Sequence, residues 1–570
     1  MSEKSWKRLK FIIIAASVLA AIKLIFVDYT MDEEYQIVMS YRRIFGDTLF
    51  GTMWEPHQTS SFLCTLLMRP FLAITGSCDW IVVYLRLCTT VIQFLLSSWI
   101  YKALCRMTSK QNAFLLSACY FNMVPKLIQI PEFSNLQLWF FTIILLALHG
   151  YYNGNRKRRW IVLSGVAMAL EVLSYPACLI LFPFFCVVLF LMAEPGKRLR
   201  DVVLFGGTCA LCAVIWFVGI FREVPLSDFL QNLKLILQFD ATHDLAAVSD
   251  AKQQFMIQEL LEVIGNVLLC YLIGFCCYFG NRKWKNRRNG ELTAFEKPVF
   301  AVFVLLAAEG IQLVYWVVLQ RGYEKPQIIP LVLLSIVPWI YREVQELHKT
   351  ILVGVLGTIL VMLGVLYMSD LGISNGLAHA IPGMVFSALL LTKALEKKEK
   401  TGKKWVYILL VSLSFVLVFG KGFTVKGGRT ETNTVLGIRN VVKYGPVKGV
   451  FTNYMLGYIL NSDYEDFTSY LEPNEKCLIV TTLVDTAGTS PYLFGNYEIC
   501  HFSIVDPTTY DEKLLTYWEK YPEKRPDVIA IDGWYGQPMV EEDSWIRQYI
   551  DHEFGYTETR DGKYMRFYKR

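Results

Sequence analysis

The first 422 residues consist mostly of apolar stretches that alternate with short polar segments, and this pattern constrains the fold more than any other feature. A helix of about 20 apolar residues is long enough to cross the hydrocarbon core of a bilayer. About 13 stretches approach this length. They lie at approximately 11–27, 80–101, 112–130, 135–152, 160–175, 177–193, 201–221, 259–279, 298–319, 328–341, 350–368, 378–392 and 405–422. The sequence therefore predicts a polytopic α-helical membrane protein with about 13 transmembrane helices.

Lysine and arginine predict how these helices are oriented. Residues 1–422 contain 40 Lys and Arg residues and 28 Asp and Glu residues. If the N-terminus is cytoplasmic, the cytoplasmic loops hold 28 of those 40 basic residues, as expected because short loops rich in Lys and Arg stay in the cytoplasm. The basic runs at 155–159 and 281–288 are therefore interpreted as retention signals and not as a nucleic-acid-binding patch. Residues 423–570 are then predicted to lie outside the cytoplasm.

Residues 423–570 differ in character from the rest of the chain. They contain 16 Lys and Arg residues against 22 Asp and Glu residues, and such a shift in charge balance marks a region in a different solvent. Short β-branched apolar runs predict strands at Leu478–Val484 and Val528–Ile531, with a final strand at Tyr564–Tyr568. Helices are predicted at Tyr510–Tyr521 and Glu541–Phe554. We predict an extracytoplasmic α/β domain, in which no catalytic set of residues is evident.

The 14 cysteines do not indicate a disulfide framework, because most of them lie in apolar stretches, where Cys acts as a small hydrophobic residue. Cys477 and Cys500 lie in the C-terminal domain, either as a disulfide or as free buried thiols. The one CxxC spacing, Cys209–Cys212, lies inside an apolar stretch, and no local cluster of Cys and His accompanies it, so we predict no structural zinc site.

The first long loop, residues 28–79, contains the most informative segment. Apolar and polar residues there alternate with helical spacing, which predicts an amphipathic helix that lies along the membrane surface. Its apolar face comprises Ile37, Val38, Tyr41, Ile44 and Phe45, and its polar face comprises Gln36, Ser40, Arg43 and Asp47. A second apolar stretch, residues 62–74, is broken by Pro70 and is also predicted to lie at the interface.

Three consecutive acids, Asp32, Glu33 and Glu34, follow the first apolar stretch closely. Charged groups near the apolar phase are costly and usually have a specific role. One interpretation is helix capping, because Thr30 and Glu33 have the spacing of a capping box. The other interpretation is a carboxylate that faces a cavity. The two interpretations are compatible, since one acid can begin a helix while its neighbour faces a cavity.

The order of these features resembles the first outer loop of the GT-C superfamily of membrane glycosyltransferases, which includes the protein O-mannosyltransferases and the aminoarabinose transferases. The resemblance rests on DEEY at 32–35, the amphipathic helix, EPHQTSSFL at 55–63 and Arg86 early in the second span. It also covers the topology of the whole chain. The aminoarabinose transferases have a basic residue before a double proline, whereas this chain has Glu55-Pro56-His57-Gln58, which leaves the phosphate ligand open.

The resemblance implies transfer of a sugar from a polyprenyl-phosphate-linked donor to a glycan, lipid or protein acceptor in the cell envelope. It implies Asp32 as the catalytic base, with Glu33 as the fallback, because an attacking hydroxyl must lose a proton. Glu132 is the candidate for a second acid, and the alternative is an exposed loop residue. Candidate ligands of the lipid phosphate are Tyr35, His57, Arg86, Lys126, Arg321 and Lys325. No metal ligand is assigned, and a divalent metal is left open as a cofactor.

Arg86 and Glu171 are charged residues that both lie within spans, and one interpretation is that they form an ion pair.

The alternatives to a glycosyltransferase are a transporter or flippase of polysaccharide precursors and a non-catalytic envelope assembly protein. Transporters often contain internal repeats, and no repeat is detectable between the two halves of this sequence. By analogy with the superfamily, the C-terminal domain is predicted to cap the cavity or to bind the acceptor.

Overall fold

The computed structural model describes residues 2–570 except positions 56, 154–156, 239–249, 290–294, 321–327, 341–348, 369–375, 426–433, 473–474, 481–498, 506–510, 535–536, 539–543 and 564. Within this described part, helices account for most of residues 2–423. They are α1 Glu3–Phe26, α2 Met31–Ile44, α3 Ser61–Thr75, α4 Ile81–Leu104, α5 Lys110–Asn122, α6 Phe133–Tyr152, α7 Arg159–Ser174, α8 Leu181–Met192, α9 Arg198–Glu223, α10 Leu226–Gln238, α11 Asp250–Asn289, α12 Lys297–Leu313, α13 Ile328–Ile340, α14 Lys349–Met368, α15 Leu377–Glu396 and α16 Glu399–Phe423.

The predicted membrane class is confirmed. Among the described residues, eight helices are long and apolar enough to cross a membrane, and three shorter apolar helices accompany them. Each of the 13 predicted stretches coincides with one helical segment, while α2 and α3 lie in the first loop and α10 follows α9. Large apolar side chains of α9 and α11 are exposed, as expected for helices that face lipid.

One predicted span is shorter than the sequence indicated. The stretch at 112–130 was expected to be a single helix, but α5 ends at Asn122. Residues 123–132 form an irregular segment that contains a 3-10 turn at Pro125–Leu127. Pro125 and Pro131 explain the break, because proline cannot donate the hydrogen bond that would continue a helix.

Helix α2 is amphipathic as predicted, but it does not lie on a surface. Its apolar residues pack against α3 and α4 in one hydrophobic cluster. Its polar residues Gln36 and Ser40 are also buried, and Ser60 donates a hydrogen bond of 3.0 Å to the amide oxygen of Gln36. The predicted surface location of α2 was wrong because a later part of the first loop, which includes Ser60, folds back over the polar face of α2 and hydrogen-bonds to it. Helix α3 contains Pro70 and follows a 3-10 turn at Gln58–Ser60.

The C-terminal region has the predicted α/β architecture. Its strands are β1 Ile438–Val441, β2 Phe451–Asn453, β3 Cys477–Val480, β4 Ile499–Val505, β5 Val528–Trp534, β6 Gln537–Pro538, β7 Glu558–Asp561 and β8 Met565–Lys569, and its helices are α17 Tyr454–Tyr470, α18 Asp511–Lys520 and α19 Trp545–Tyr549. The main sheet has the order β4-β3-β5-β8-β7, with β3 parallel to β4 and β5 and with β8 antiparallel to β5 and β7. All four residues of β3 are buried, as expected for a central strand covered on both faces.

The two faces of this sheet are covered differently. One face packs against α17 in a cluster that includes Ile459 and Phe467. The opposite face packs against α18 and α19, and the buried Trp54 of the first loop belongs to the same cluster. The C-terminal domain is therefore docked on the first loop. We call the end of the helix bundle that carries this loop and this domain the loop face.

Candidate active site at the loop face

Glu33 and Arg86 form a buried ion pair that organises the first loop. Nη2 of Arg86 lies 2.6 Å from Oε2 of Glu33, and Nε lies 2.9 Å from Oε1. The remaining N–H groups of Arg86 donate to main-chain carbonyls at the end of α1, namely those of Leu24, Ile25, Val27 and Asp28. All five N–H donors of the guanidinium thus have acceptors inside the protein. Arg86 therefore joins α1, α2 and α4.

This pair also settles two sequence-based interpretations. Arg86 does not pair with Glu171, which instead contacts His379, so that interpretation was wrong. The capping interpretation of Glu33 is supported, because the Thr30 N–H donates to its carboxylate at 3.3 Å.

Asp32 occupies a different environment from its neighbour Glu33. Its side chain is 23% exposed, and its Oδ2 lies 3.9 Å from Nζ of Lys126. Glu132, on the same irregular segment as Lys126, is buried. Its carboxylate caps α6 by accepting the N–H groups of Ser134 at 2.8 Å and Asn135 at 2.9 Å. The alternative that Glu132 is an exposed loop residue was therefore wrong.

Asp32, Lys126 and Glu132 interact electrostatically. Burial raises the pKa of Glu132 to about 7, and the negative charge of Asp32 adds to this rise. The ammonium of Lys126 and the two capping N–H groups act in the opposite direction. A carboxyl group with such a pKa can hold or release a proton near neutral pH, as acid–base chemistry requires.

The segment that carries Lys126 has a strained backbone. Lys126 has φ of 51° and Leu127 has φ of 56°, and both are in the left-handed region that non-glycine residues rarely adopt. Two consecutive residues of this kind cost about 1–3 kcal/mol each, and such strain is found preferentially at functional sites. The turn directs Lys126 toward α2 and over the ring of Phe133, with Nζ 4.6 Å from the ring centroid.

Three aromatic rings lie beside Lys126 in roughly parallel planes. The His57 ring centroid is 4.8 Å from that of Phe133 and 5.4 Å from that of Tyr175. Phe133 begins α6 and Tyr175 directly follows α7. The hydroxyl of Thr59 donates to the carbonyl of Leu173 at 2.7 Å, which fixes the loop near His57 against the end of α7.

A second buried network connects the first loop to the C-terminal domain. Arg42 forms ion pairs with Asp47, at 2.6 Å, and with Glu55. Asp47 also pairs with Lys524 of the C-terminal domain at 2.8 Å. Burial alone would raise the pKa of Asp47, but Arg42 and Lys524 outweigh it and hold that pKa below its ordinary value. The sequence did not predict this network, because Arg42 and its partners have no spacing that marks them as a cluster.

A small pocket, with a volume of about 20 Å³, lies beside the strained turn. Its walls are mostly apolar and include Met123, Leu127 and Trp316. They also contain Lys421, near the end of α16, whose ammonium donates to the carbonyl of Phe121 at 3.1 Å. Lys421 was not singled out from the sequence, although a lysine at the end of an apolar span was the available signal.

The remaining predicted phosphate ligands divide into two groups. Tyr35 is half-buried and lies one helical turn after Asp32, on the same side of α2. Arg321 and Lys325 fall outside the described residues.

The ammonium of Lys126 interacts with both Asp32 and Glu132. Among the described residues, the one group of three His, Cys, Asp or Glu side chains close enough to hold an ion is Glu171, Cys178 and His379.

The membrane bundle, its acidic first loop and the docked α/β domain together give the chain the GT-C fold of membrane glycosyltransferases, as the resemblance implied. ArnT from Cupriavidus metallidurans bound to undecaprenyl phosphate is similar, with a TM-score of 0.53 and 10% sequence identity over 100% of this chain and 98% of that chain. Its apo structure gives a TM-score of 0.41 and 9% identity over the same shares of the two chains. The oligosaccharyltransferase AglB from Archaeoglobus fulgidus gives 0.40 and 10% identity over 93% of this chain and 70% of that chain. No protein-family model and no curated protein matches the sequence.

Proposed function

We propose that this protein is a glycosyltransferase that moves a sugar from a polyprenyl-phosphate-linked donor to a cell-envelope acceptor. The observation that carries the proposal is the grouping of Asp32, Lys126 and Glu132 at the loop face. The similar ArnT structure has undecaprenyl phosphate bound. We further propose that the loop face is the outer face of the membrane and that the N-terminus is cytoplasmic, which agrees with the distribution of Lys and Arg.

Asp32 is the proposed catalytic base. The acceptor hydroxyl must lose its proton as it attacks the anomeric carbon, and a positioned carboxylate can take that proton. Asp32 is partly exposed, so an acceptor can reach it, whereas the carboxylate of Glu33 is held by Arg86. We therefore propose that Glu33 and Arg86 position the loop. This role replaces the expected roles of Glu33 as the fallback base and of Arg86 as a ligand of the lipid phosphate. Glu132 holds the segment that presents Lys126.

Lys126 is the proposed main ligand of the departing lipid phosphate. Negative charge develops on this phosphate as the glycosidic bond breaks, and a fixed cation there lowers the barrier. His57, whose ring stacks on Phe133 beside Lys126, and Tyr35 are proposed as further ligands of the phosphate. Arg321 and Lys325 stay candidates from the sequence.

The test is turnover of a donor in membrane vesicles. The purified protein is reconstituted with a panel of labelled undecaprenyl-phosphate sugars, hexoses and pentoses, together with envelope extract as the acceptor source. Release of free undecaprenyl phosphate then reports transfer whatever the acceptor is. We expect D32N to lower this release by about 10²- to 10⁴-fold, the usual contribution of a general base.

The matched control is D79N. Asp79 lies in the same loop and forms a half-exposed ion pair with Lys448 at 3.0 Å. We expect D79N to retain the wild-type rate. If D32N and D79N release the lipid phosphate equally fast, the catalytic role of Asp32 is wrong. A transporter would carry the donor without releasing the lipid phosphate at all.

A further inference from the structure

We propose that Glu171, Cys178 and His379 form a zinc site inside the helix bundle. The three side chains come from α7, the 3-10 turn Pro176–Ile180 and the first turn of α15, and all three are buried. One ligand atom from each lies within 4.8 Å of the others. This site is separate from the acidic residues of the proposed active site, and the inference does not depend on the proposed function.

The three ligand atoms converge on one point. Nε2 of His379 lies 2.6 Å from Oε1 of Glu171 and 3.7 Å from Sγ of Cys178. The thiol of Cys178 also donates a hydrogen bond to the carboxylate of Glu171, so each of the three groups contacts the other two. In a tetrahedral zinc site, the usual bond lengths place a nitrogen and a sulfur ligand about 3.6 Å apart, and a nitrogen and an oxygen ligand about 3.3 Å apart. The His379–Cys178 distance already fits, and the carboxylate needs to withdraw by less than about 1 Å.

Charge balance is compatible with a divalent ion at this place. An unpaired charge is costly in an apolar interior, and in the described part of the chain the one ion-pair partner of Glu171 is His379. Binding of Zn²⁺ releases the thiol proton and any proton that the Glu171–His379 pair holds. The resulting thiolate, carboxylate and neutral imidazole leave the site with no net charge.

The ligand types select the metal class. Thiolate and imidazole are preferred by zinc and similar transition metals, whereas magnesium and calcium prefer oxygen ligands. Three protein ligands leave one coordination position for a water molecule or a further group.

The site lies directly beneath the aromatic rings of the loop face. Glu171 and Cys178 flank Tyr175, whose N–H donates to the carbonyl of Glu171 at 3.1 Å and whose ring lies against His57. A metal that holds Glu171 and Cys178 together would fix the turn at Tyr175 and attach it to α15. The inferred role is therefore a structural clasp that sets the position of His57.

The experiment measures the zinc content of the full-length protein. The chain is produced with zinc in the medium, purified in detergent and denatured, and the released zinc is measured by mass spectrometry. We expect roughly one Zn²⁺ per chain in the wild type. C178S and H379Q should each lower this content at least tenfold. A serine hydroxyl preserves a hydrogen bond to His379 but is a poor zinc ligand, so C178S separates metal binding from simple packing.

The matched controls are C119S and H149Q, which change a buried cysteine and a buried histidine elsewhere in the bundle. Both should keep the wild-type zinc content. Cobalt-loaded wild type should also show the absorption of a thiolate–Co²⁺ bond, and C178S should lack it. E171Q provides a third ligand variant if C178S does not fold.

The proposal is overturned if monodisperse wild-type protein contains no zinc, or if the ligand variants retain as much zinc as C119S and H149Q. Donor turnover is measured separately, so the zinc site can fail while the transferase function stands, and the reverse also holds.

Discussion

Asp32 and Glu33 are adjacent acids in one helical turn, yet their environments differ in almost every respect. Glu33 is buried against Arg86 with two short contacts, and that arginine has no N–H group left for a ligand. Asp32 is partly exposed and has a lysine at 3.9 Å. Successive helical residues point about 100° apart, so a shift of one position separates a group that holds the fold together from one that can react. The predictions below test this division of roles.

The largest effect on stability is expected for R86M. The change leaves Glu33 as a buried carboxylate without its partner and deprives the end of α1 of its donors, which should cost about 3–5 kcal/mol. Thermal unfolding of the purified protein in detergent measures the loss. R43M is the matched control, because Arg43 pairs with Glu223 on a more exposed surface and should cost less than about 1 kcal/mol. If the two variants unfold at the same temperature, Arg86 does not hold the fold together.

The next largest effect should appear in the pH dependence of stability. The pKa of Glu132 is raised from 4.5 to about 7 by burial, and also by Asp32. The folded state therefore binds this proton more tightly than the unfolded state does. The contribution of Glu132 to the free energy of unfolding is fully present below the pKa that this group has in the unfolded state. It is lost as the pH rises through the pKa in the folded state, and the total loss is about 3 kcal/mol.

Unfolding temperatures between roughly pH 5 and pH 8 should show this decline. In E132Q the side chain stays neutral, so that part of the slope should vanish. E465Q changes an exposed acid that pairs with Lys563 and should leave the slope intact. An unchanged slope in E132Q would show that Glu132 is ionised throughout this range.

The sequence predicted the local features of the fold, but it did not predict which distant residues come together at the sites. Apolar length predicted the helices, and β-branched runs predicted the strands of the C-terminal domain, because both signals are local. The grouping of Lys126 with Asp32 required the strained turn at 126–127, which no local preference of Lys or Leu indicates. The pairing of Glu171 with His379 joins residues 208 positions apart, so no spacing rule could find it.

A smaller effect is expected at the contact between the two regions. K524M removes one of the two cations beside Asp47, where both side chains are largely buried, and should cost about 1–2 kcal/mol. The domain should then separate more readily from the first loop, which faster proteolytic release of the C-terminal domain would report. K563M removes an exposed ion pair with Glu465 and serves as the control. Equal rates of release would mean that Trp54 and its neighbours hold the domain without help from Asp47.

The smallest effect on stability, and the most instructive one, is expected for D32N. Its ion pair with Lys126 is long and partly solvated, and such pairs contribute about 0–1 kcal/mol. The unfolding temperature of D32N should therefore stay close to that of the wild type, although its donor turnover falls steeply. E33Q, one residue away, should show the opposite pattern in stability, since it weakens the buried pair with Arg86. If D32N destabilises the protein as much as E33Q does, Asp32 and Glu33 both have a structural role. The loss of turnover in D32N would then result from a disturbed loop and not from a missing base.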